Sequence, residues 1–415
     1  RHYLSAFVSS TMADPIHRRG SRDYVRTILG DSIDISTMKV LKVAYDDATD
    51  KNIVSSPLGL MTLLSLYNLG LGTDASAEVN NFLGGTDARQ VSENIHDKSY
   101  DRLLNVSTVE ISMFFDMDPA ILSVANKISV SDRCDLNEVF AAEARDYRSE
   151  FDKIDFTKPA EAAAKINQWA SDKTKGHITE PVGKDTLTPD MVVALLNVVF
   201  FNGHWHIPFK ANETTDKDFH VGPDTVVKKP MMHLLQSLMF YRESQELGAK
   251  LIELPYQENG FRMVVVLPNE MDGLPSVLEK AAEKGVLTDV FNLSPVYERD
   301  IDIDIPKFEI KTKLDFKTIL PKVGVSKIFE EPAEGIVKDD QVKVSKALQE
   351  AFIRVNEEGS SAGAFTGVFL IPIAEYYPPP PPLKFTADHP FLYLILYKDK
   401  ILFDLFIASK ICYIY

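Results

Sequence analysis

Apolar residues in this chain follow two rhythms, one near three and a half residues and one of two, and the second displaces the first along the sequence. Near the start, Met38, Leu41 and Tyr45 predict a helix with Ser36 near its cap. Ser56 and Pro57 open another helix. A serine accepts a backbone N–H that would otherwise be unpaired, and proline at the first helical position gives up no bond. Leu58, Leu60, Met61, Leu63, Leu64, Leu66 and Leu69 leave that helix no polar face, which predicts burial at the centre of the protein. Thr108–Phe114 reads as a strand and Ala120–Asn126 as a short helix, while Ala162–Lys173 is amphipathic with Ile166, Trp169 and Ala170 on one side.

Strands then take over. Met191–Phe201 is apolar without alternation, the pattern of a strand covered on both faces, and its one polar side chain, Asn197, must be hydrogen-bonded there. Leu251–Tyr256 and Met263–Pro268 follow, and Ile301, Ile303 and Ile305 alternate with Asp302 and Asp304. Leu348–Arg354, Phe391–Tyr397 and Ile401–Phe403 complete the set. Early helices, late strands and no internal repeat or linker predict a single α+β domain over residues 33–415, preceded by a basic, partly ordered extension at 1–32.

One stretch fits neither rhythm. Arg354–Val368 consists almost wholly of small or turn-forming residues and leads into Pro372 and five prolines at Pro378–Pro382, which favour a stiff polyproline II rod. Ordering such residues costs roughly 1–2 kcal/mol each, and loops beyond about 12–15 residues are uncommon unless functional. Taken with period 2, the stretch is also a latent strand. Ser360, Ala362, Ala364, Thr366 and Val368 share a face small enough to slip between existing strands, and Gly363, Phe365 and Gly367 form the other.

Composition narrows the function. The 415 residues are 45% hydrophobic and 25% charged, enough for a sizeable core. A net charge of −15 without a dense basic run argues against nucleic acid, and no apolar stretch is long enough to span a bilayer. Two cysteines, Cys134 and Cys412, either pair or stay free, and are too few for a disulfide scaffold. Asn105, Asn212 and Asn292 head glycosylation acceptor patterns, the last weakened by Pro295. No HExxH, P-loop or Gly-x-Ser-x-Gly pattern occurs, and Gly70–Ala75 resembles a dinucleotide fingerprint but follows a helix instead of a strand. Neither catalysis nor a cofactor is expected. His204 and His206 share a strand face without a third ligand at useful spacing, so no metal is expected either.

Val355-Asn-Glu-Glu-Gly-Ser360, Phe385-Thr-Ala-Asp-His-Pro-Phe391, Asn52-Ile-Val-Ser-Ser-Pro57, Asn167-Gln-Trp169 with Thr174–Ile178, Phe201–Phe209 and Pro230–Met232 together resemble the serpins over about residues 33–410. Leu122–Ile128 is similar to the family's Leu-x-x-Ala-Asn pattern. The resemblance implies the serpin fold: a large central, mostly antiparallel sheet with further sheets, about eight or nine helices, and an exposed reactive loop at about 358–384. It implies a secreted, extracellular, monomeric inhibitor that acts as a suicide substrate. A protease of the serine or papain-like cysteine class cleaves the loop, and the severed strand inserts before the acyl-enzyme hydrolyses. The hinge would be Glu357, Glu358, Gly359, Ser360, Ser361, Ala362, Gly363, Ala364 and Thr366, whose inward positions are small and uncharged.

The family's spacing from Glu357 puts the reactive bond at Ile373–Ala374, with Ala374–Glu375 and Tyr376–Tyr377 as neighbouring candidates. No Arg or Lys lies between Gly359 and Leu383, which points to an elastase- or chymotrypsin-like specificity; cleavage at Ala374–Glu375 would suit a papain-like one. Ser56, Asn197 and Gln349 would form the shutter beneath the sheet. Gln349 replaces a family histidine and cannot titrate. A second departure is Leu405, where the family has a glycine at a turn whose geometry this replacement is expected to alter. A non-inhibitory serpin, serving storage, transport or structure, is the alternative.

Overall fold

The computed structural model describes residues 28–83, 121–338, 342–359 and 380–407, except single residues 50, 148, 184, 223, 238, 284, 298 and 399. In chain order come α1 (Ile28–Asp47), β1 (Ile53–Ser55), α2 (Pro57–Asn68), α3 (Thr73–Phe82), β2 (Leu122–Ser131), α4 (Glu138–Glu143), β3 (Glu150–Ile154), α5 (Pro159–Lys173) and β4 (Val193–Phe201). Next are β5 (Thr215–Gly222), β6 (Thr225–Gln236), β7 (Phe240–Ser244), β8 (Ala249–Pro255), β9 (Phe261–Pro268), α6 (Leu274–Ala281), α7 (Thr288–Phe291) and β10 (Ser294–Pro295). The rest are β11 (Ile301–Pro306), β12 (Phe308–Asp315), α8 (Phe316–Ile319), α9 (Lys327–Glu330), β13 (Val344–Val355), β14 (Leu383–Thr386), β15 (Phe391–Tyr397) and β16 (Lys400–Ile407). The described residues thus hold nine α-helices and three sheets, an α+β architecture as expected.

The seven-stranded sheet has the order β1-β16-β15-β9-β8-β7-β10 and is antiparallel throughout. The four-stranded sheet, β14-β11-β6-β5, has one parallel pair, between β14 and β11. In the five-stranded sheet, β12-β13-β4-β2-β3, antiparallel and parallel ladders alternate, and β13 runs parallel to β4.

β4 lacks alternation because both its faces are covered. Val193, Leu195, Val199 and Phe201 join the main core, while Ala194, Leu196, Val198 and Phe200 face a second core under α5. α5 contributes Ala162, Ala163, Ile166, Trp169 and Ala170 to that second core and leaves Glu161, Lys165 and Gln168 exposed. α2 is buried nearly all round, as its unbroken apolar surface requires, and the Ser56 hydroxyl accepts the Gly59 N–H at 3.2 Å. It lies tight against the sheet. A Cβ on Gly59 would fall well inside contact distance of Asn197 Oδ1.

Three sequence expectations change. Ala120–Asn126 is not a helix, for Leu122, Asn126, Ile128 and Val130 alternate into the core as β2. α1 starts at Ile28, so Ser36 falls inside it instead of at its cap. At Leu405 the chain does not turn: β16 runs on to Ile407, with Leu405 paired to Tyr393 on one side and Val54 on the other. Thr108–Phe114 lies outside the described residues. Among the described residues no helix is long and apolar enough to cross a membrane.

Candidate functional site

β13 ends at Val355, and the next residues turn sharply. Asn356 Oδ1 accepts the Glu358 N–H at 3.1 Å, and Asn356 and Gly359 exchange backbone hydrogen bonds of 3.0 and 3.2 Å. Gly359 has φ +116, a conformation L side chains rarely adopt, and a Cβ there would strike the Gly203 carbonyl. This glycine pairs antiparallel with Asn356 on one side and with His204 on the other. Asn356 continues β13, and His204 lies just beyond β4. Gly359 therefore sits in the mouth between the two strands that run parallel to each other.

The turn is well anchored. Trp205, 1% exposed, donates its backbone N–H to the Glu358 carbonyl at 3.0 Å and its indole N–H to the Asn356 carbonyl at 2.8 Å. Its ring stacks on Tyr256 with centroids 4.5 Å apart. Phe209 N–H donates to the Glu357 carbonyl at 2.8 Å. The Glu357 carboxylate accepts from Thr214 Oγ1 and Lys307 Nζ, both at 2.9 Å. Burial works against its ionisation, but Lys307, its own backbone and Thr214 together outweigh that and hold the carboxyl below its ordinary range.

Lower on the same two strands lies a row of amides. Asn126, Asn197 and Gln349 are direct cross-strand partners on β2, β4 and β13. Gln349 Nε2 donates to Asn197 Oδ1 and to the Ser56 carbonyl, each at 2.9 Å, and Gln349 Oε1 accepts the Ser56 N–H at 2.9 Å. Asn197 Nδ2 donates to Asn126 Oδ1 at 2.8 Å. Ser56, Asn197 and Gln349 are thus brought together, all within 1% of full burial. Asn126 is the member sequence reasoning missed; the helix assigned there hid a period-2 pattern that would have put it on the same face.

Glu357, Glu358 and Gly359 form the turn after β13. Ser360, Ser361, Ala362, Gly363, Ala364, Thr366, Ile373, Ala374 and Glu375 lie outside the described residues, as do Asn105 and Cys412. Asn212 and Asn292 are exposed, and Cys134 is half-buried. His204 Nδ1 lies 2.8 Å from Glu258 Oε1, whereas His206 is exposed. Among the described residues, one further histidine and two carboxylates converge: His233, Asp302 and Asp304, on the four-stranded sheet. The Lys217 ammonium lies 2.6 Å from Asp304 there, an ion pair that already balances this carboxylate.

The family model described as "Serpin (serine protease inhibitor)" matches residues 34–408. Antichymotrypsin-2 of Bombyx mori is 31% identical over 374 residues, covering 89% of this chain and 94% of that protein. Antitrypsin of Bombyx mori is 31% identical over 380 residues, covering 91% and 93%. The crystal structure of Serpin48 from the insect Tenebrio molitor superposes with a TM-score of 0.76 at 29% identity, over 92% of this chain and 98% of that one.

Proposed function

The chain belongs to the serpin family, and from that premise we propose that it inhibits proteases as a suicide substrate whose cleaved loop becomes a strand of the five-stranded sheet. The observation that carries this reading is Gly359. It already forms one antiparallel rung between the extensions of β13 and β4, so a chain continuing from it would run down the seam between them. Because β13 and β4 are parallel over eight residue pairs, a strand entering there is antiparallel to both. One parallel ladder gives way to two antiparallel ones, which pair slightly more stably per residue.

In this reading a tether at both ends keeps the uncut segment from inserting. It is held at Gly359 on one side and at Leu383, the start of β14 paired to Ile301, on the other. Cleavage releases one end. Residues 360–373 as an extended strand then span about 45 Å, enough to carry an attached enzyme along the sheet before the acyl bond hydrolyses. The small residues Ser360, Ala362, Ala364 and Thr366 suit burial on the inward face.

The reactive bond in this reading is Ile373–Ala374, with Ala374–Glu375 the adjacent choice. The apolar surroundings favour an elastase- or chymotrypsin-like serine protease, and a papain-like cysteine protease if Ile373 lies one residue upstream of the cut. The names of the Bombyx mori relatives support serine proteases as partners. The protein would act outside the cell as a monomer, with Asn212 and Asn292 exposed for glycosylation.

Incubation with chymotrypsin, elastase and papain tests the proposal. The expected result is a covalent complex that survives SDS with at least one enzyme, and mass spectrometry of the released C-terminal peptide locates the bond. Cleaved product without complex across the three would support the non-inhibitory alternative instead.

A further inference from the structure

The highest closed rung of the seam is Phe352 of β13 opposite Phe200 of β4, their rings 6.2 Å apart. A third ring covers both. His177 stacks on Phe200 with centroids 4.4 Å apart at 13°, and on Phe352 at 4.9 Å and 28°. Local chemistry holds it there. After α5 the chain turns through Lys175 at φ 51 and Gly176 at φ 81, His177 N–H donates to the Thr174 carbonyl at 3.0 Å, and Thr174 Oγ1 accepts the Ile178 N–H at 2.9 Å.

We propose that His177 is a clasp across the seam, a positioning residue whose ring sets how readily β4 and β13 part below Gly359. This rests on the insertion reading above. For the strands to separate, one of the two stacking contacts must break, and each such contact resists opening beyond the area it buries. An imidazole in water changes charge near physiological pH, which makes the ring a group that acid can act on. Burial first, and then Arg354 on β13 and Lys175 on its own turn, hold it below its ordinary value; Glu309 on β12, bound to Arg354 at 2.6 Å, opposes them. β4 presents only apolar side chains to it. Since the clasped ring prefers to be neutral, the clasped state binds fewer protons than the released one. The clasp therefore weakens as pH falls through about 6.5, the ordinary histidine value, and is intact above it.

The test uses the full chain and a labelled synthetic peptide carrying residues 360–371, with the rate of uptake followed at pH 7.5 and 5.5. Wild type should take up peptide slowly at pH 7.5 and faster at pH 5.5. His177→Ala should be about threefold to tenfold faster than wild type at pH 7.5, with little further response to acid. His177→Phe restores the stack and removes the titration, so it should stay slow at both values. Equal rates for all three proteins at pH 7.5, or an acid acceleration in His177→Phe as large as in wild type, overturns the clasp while leaving insertion intact. No uptake by any of them overturns insertion itself and the clasp with it.

Discussion

β9 and β15 meet at the centre of the seven-stranded sheet through an antiparallel ladder running from Phe261–Tyr397 to Val266–Leu392, along which Val264, Val265, Leu394 and Ile395 are fully buried and apolar. β4 and β13 meet at the centre of the five-stranded sheet through a parallel ladder that carries Asn197 and Gln349. Both junctions are buried, but they are finished to different degrees. The first has its better hydrogen-bond geometry already. The second could gain a strand, and its amides hold it shut through bonds that can be exchanged. Burial alone does not make a sheet final; the direction of its strands decides whether it can still improve.

The largest effect that would break this contrast comes from cutting the loop. Clipping close to Ile373, which leaves residues 360–373 attached to Gly359, should raise the melting midpoint. Insertion replaces one parallel ladder with two antiparallel ones and buries small apolar side chains, and a net gain of a few kcal/mol moves the midpoint by roughly 10 °C. Hydrogen exchange should slow in β4 and β13 and stay the same in β9 and β15. A clipped protein that melts no higher than the intact one makes the two junctions equivalent.

A smaller effect sharpens the contrast at one residue. Asn197→Ala leaves Gln349 Nε2 short of one acceptor and Asn126 Oδ1 without its donor, and each stranded group costs about 1–3 kcal/mol. Urea unfolding should show a loss of about 2–4 kcal/mol, and exchange should quicken first along β4 and β13. A uniform rise across β9 and β15 as well would mean that the amide row supports the whole protein and is no local latch.

The smallest effect lies at the mouth of the seam. Glu357 ionises more readily in the folded state than in the unfolded chain, so its contribution is complete above the unfolded value of about 4.3 and is lost as pH falls through the lower folded one. Lys307 is 45% exposed, which keeps this contribution under about 1 kcal/mol. Wild type should therefore lose slightly more stability than Glu357→Gln between pH 6 and pH 3, as measured by urea midpoints. Identical curves would show that the anchor is steric and held by Trp205.

Much of this was legible in the sequence for local reasons. Ser56 and Pro57 fix a helix start within one turn, and an unbroken apolar run such as Met191–Phe201 admits only a strand covered on both sides. The period-2 alternation of the small residues after Gly359 can be counted because side-chain alternation needs no partner. Errors arose where the local pattern was short: Leu122–Asn126 satisfies a helical spacing for a few residues, and only Ile128 and Val130 beyond it reveal period 2.

By itself the sequence determined which residues could be buried, where α2 begins, and that the small residues after Gly359 alternate with period 2. Tertiary structure alone decided that β13 would lie parallel to β4, that Gly359 would stand between their extensions, and that His177 would cover Phe200 and Phe352. The reason is distance along the chain. Gln349 meets Asn197 across 152 positions and Ser56 across 293, so these meetings are set by how whole strands pair and stack, a choice that no window of neighbouring residues contains.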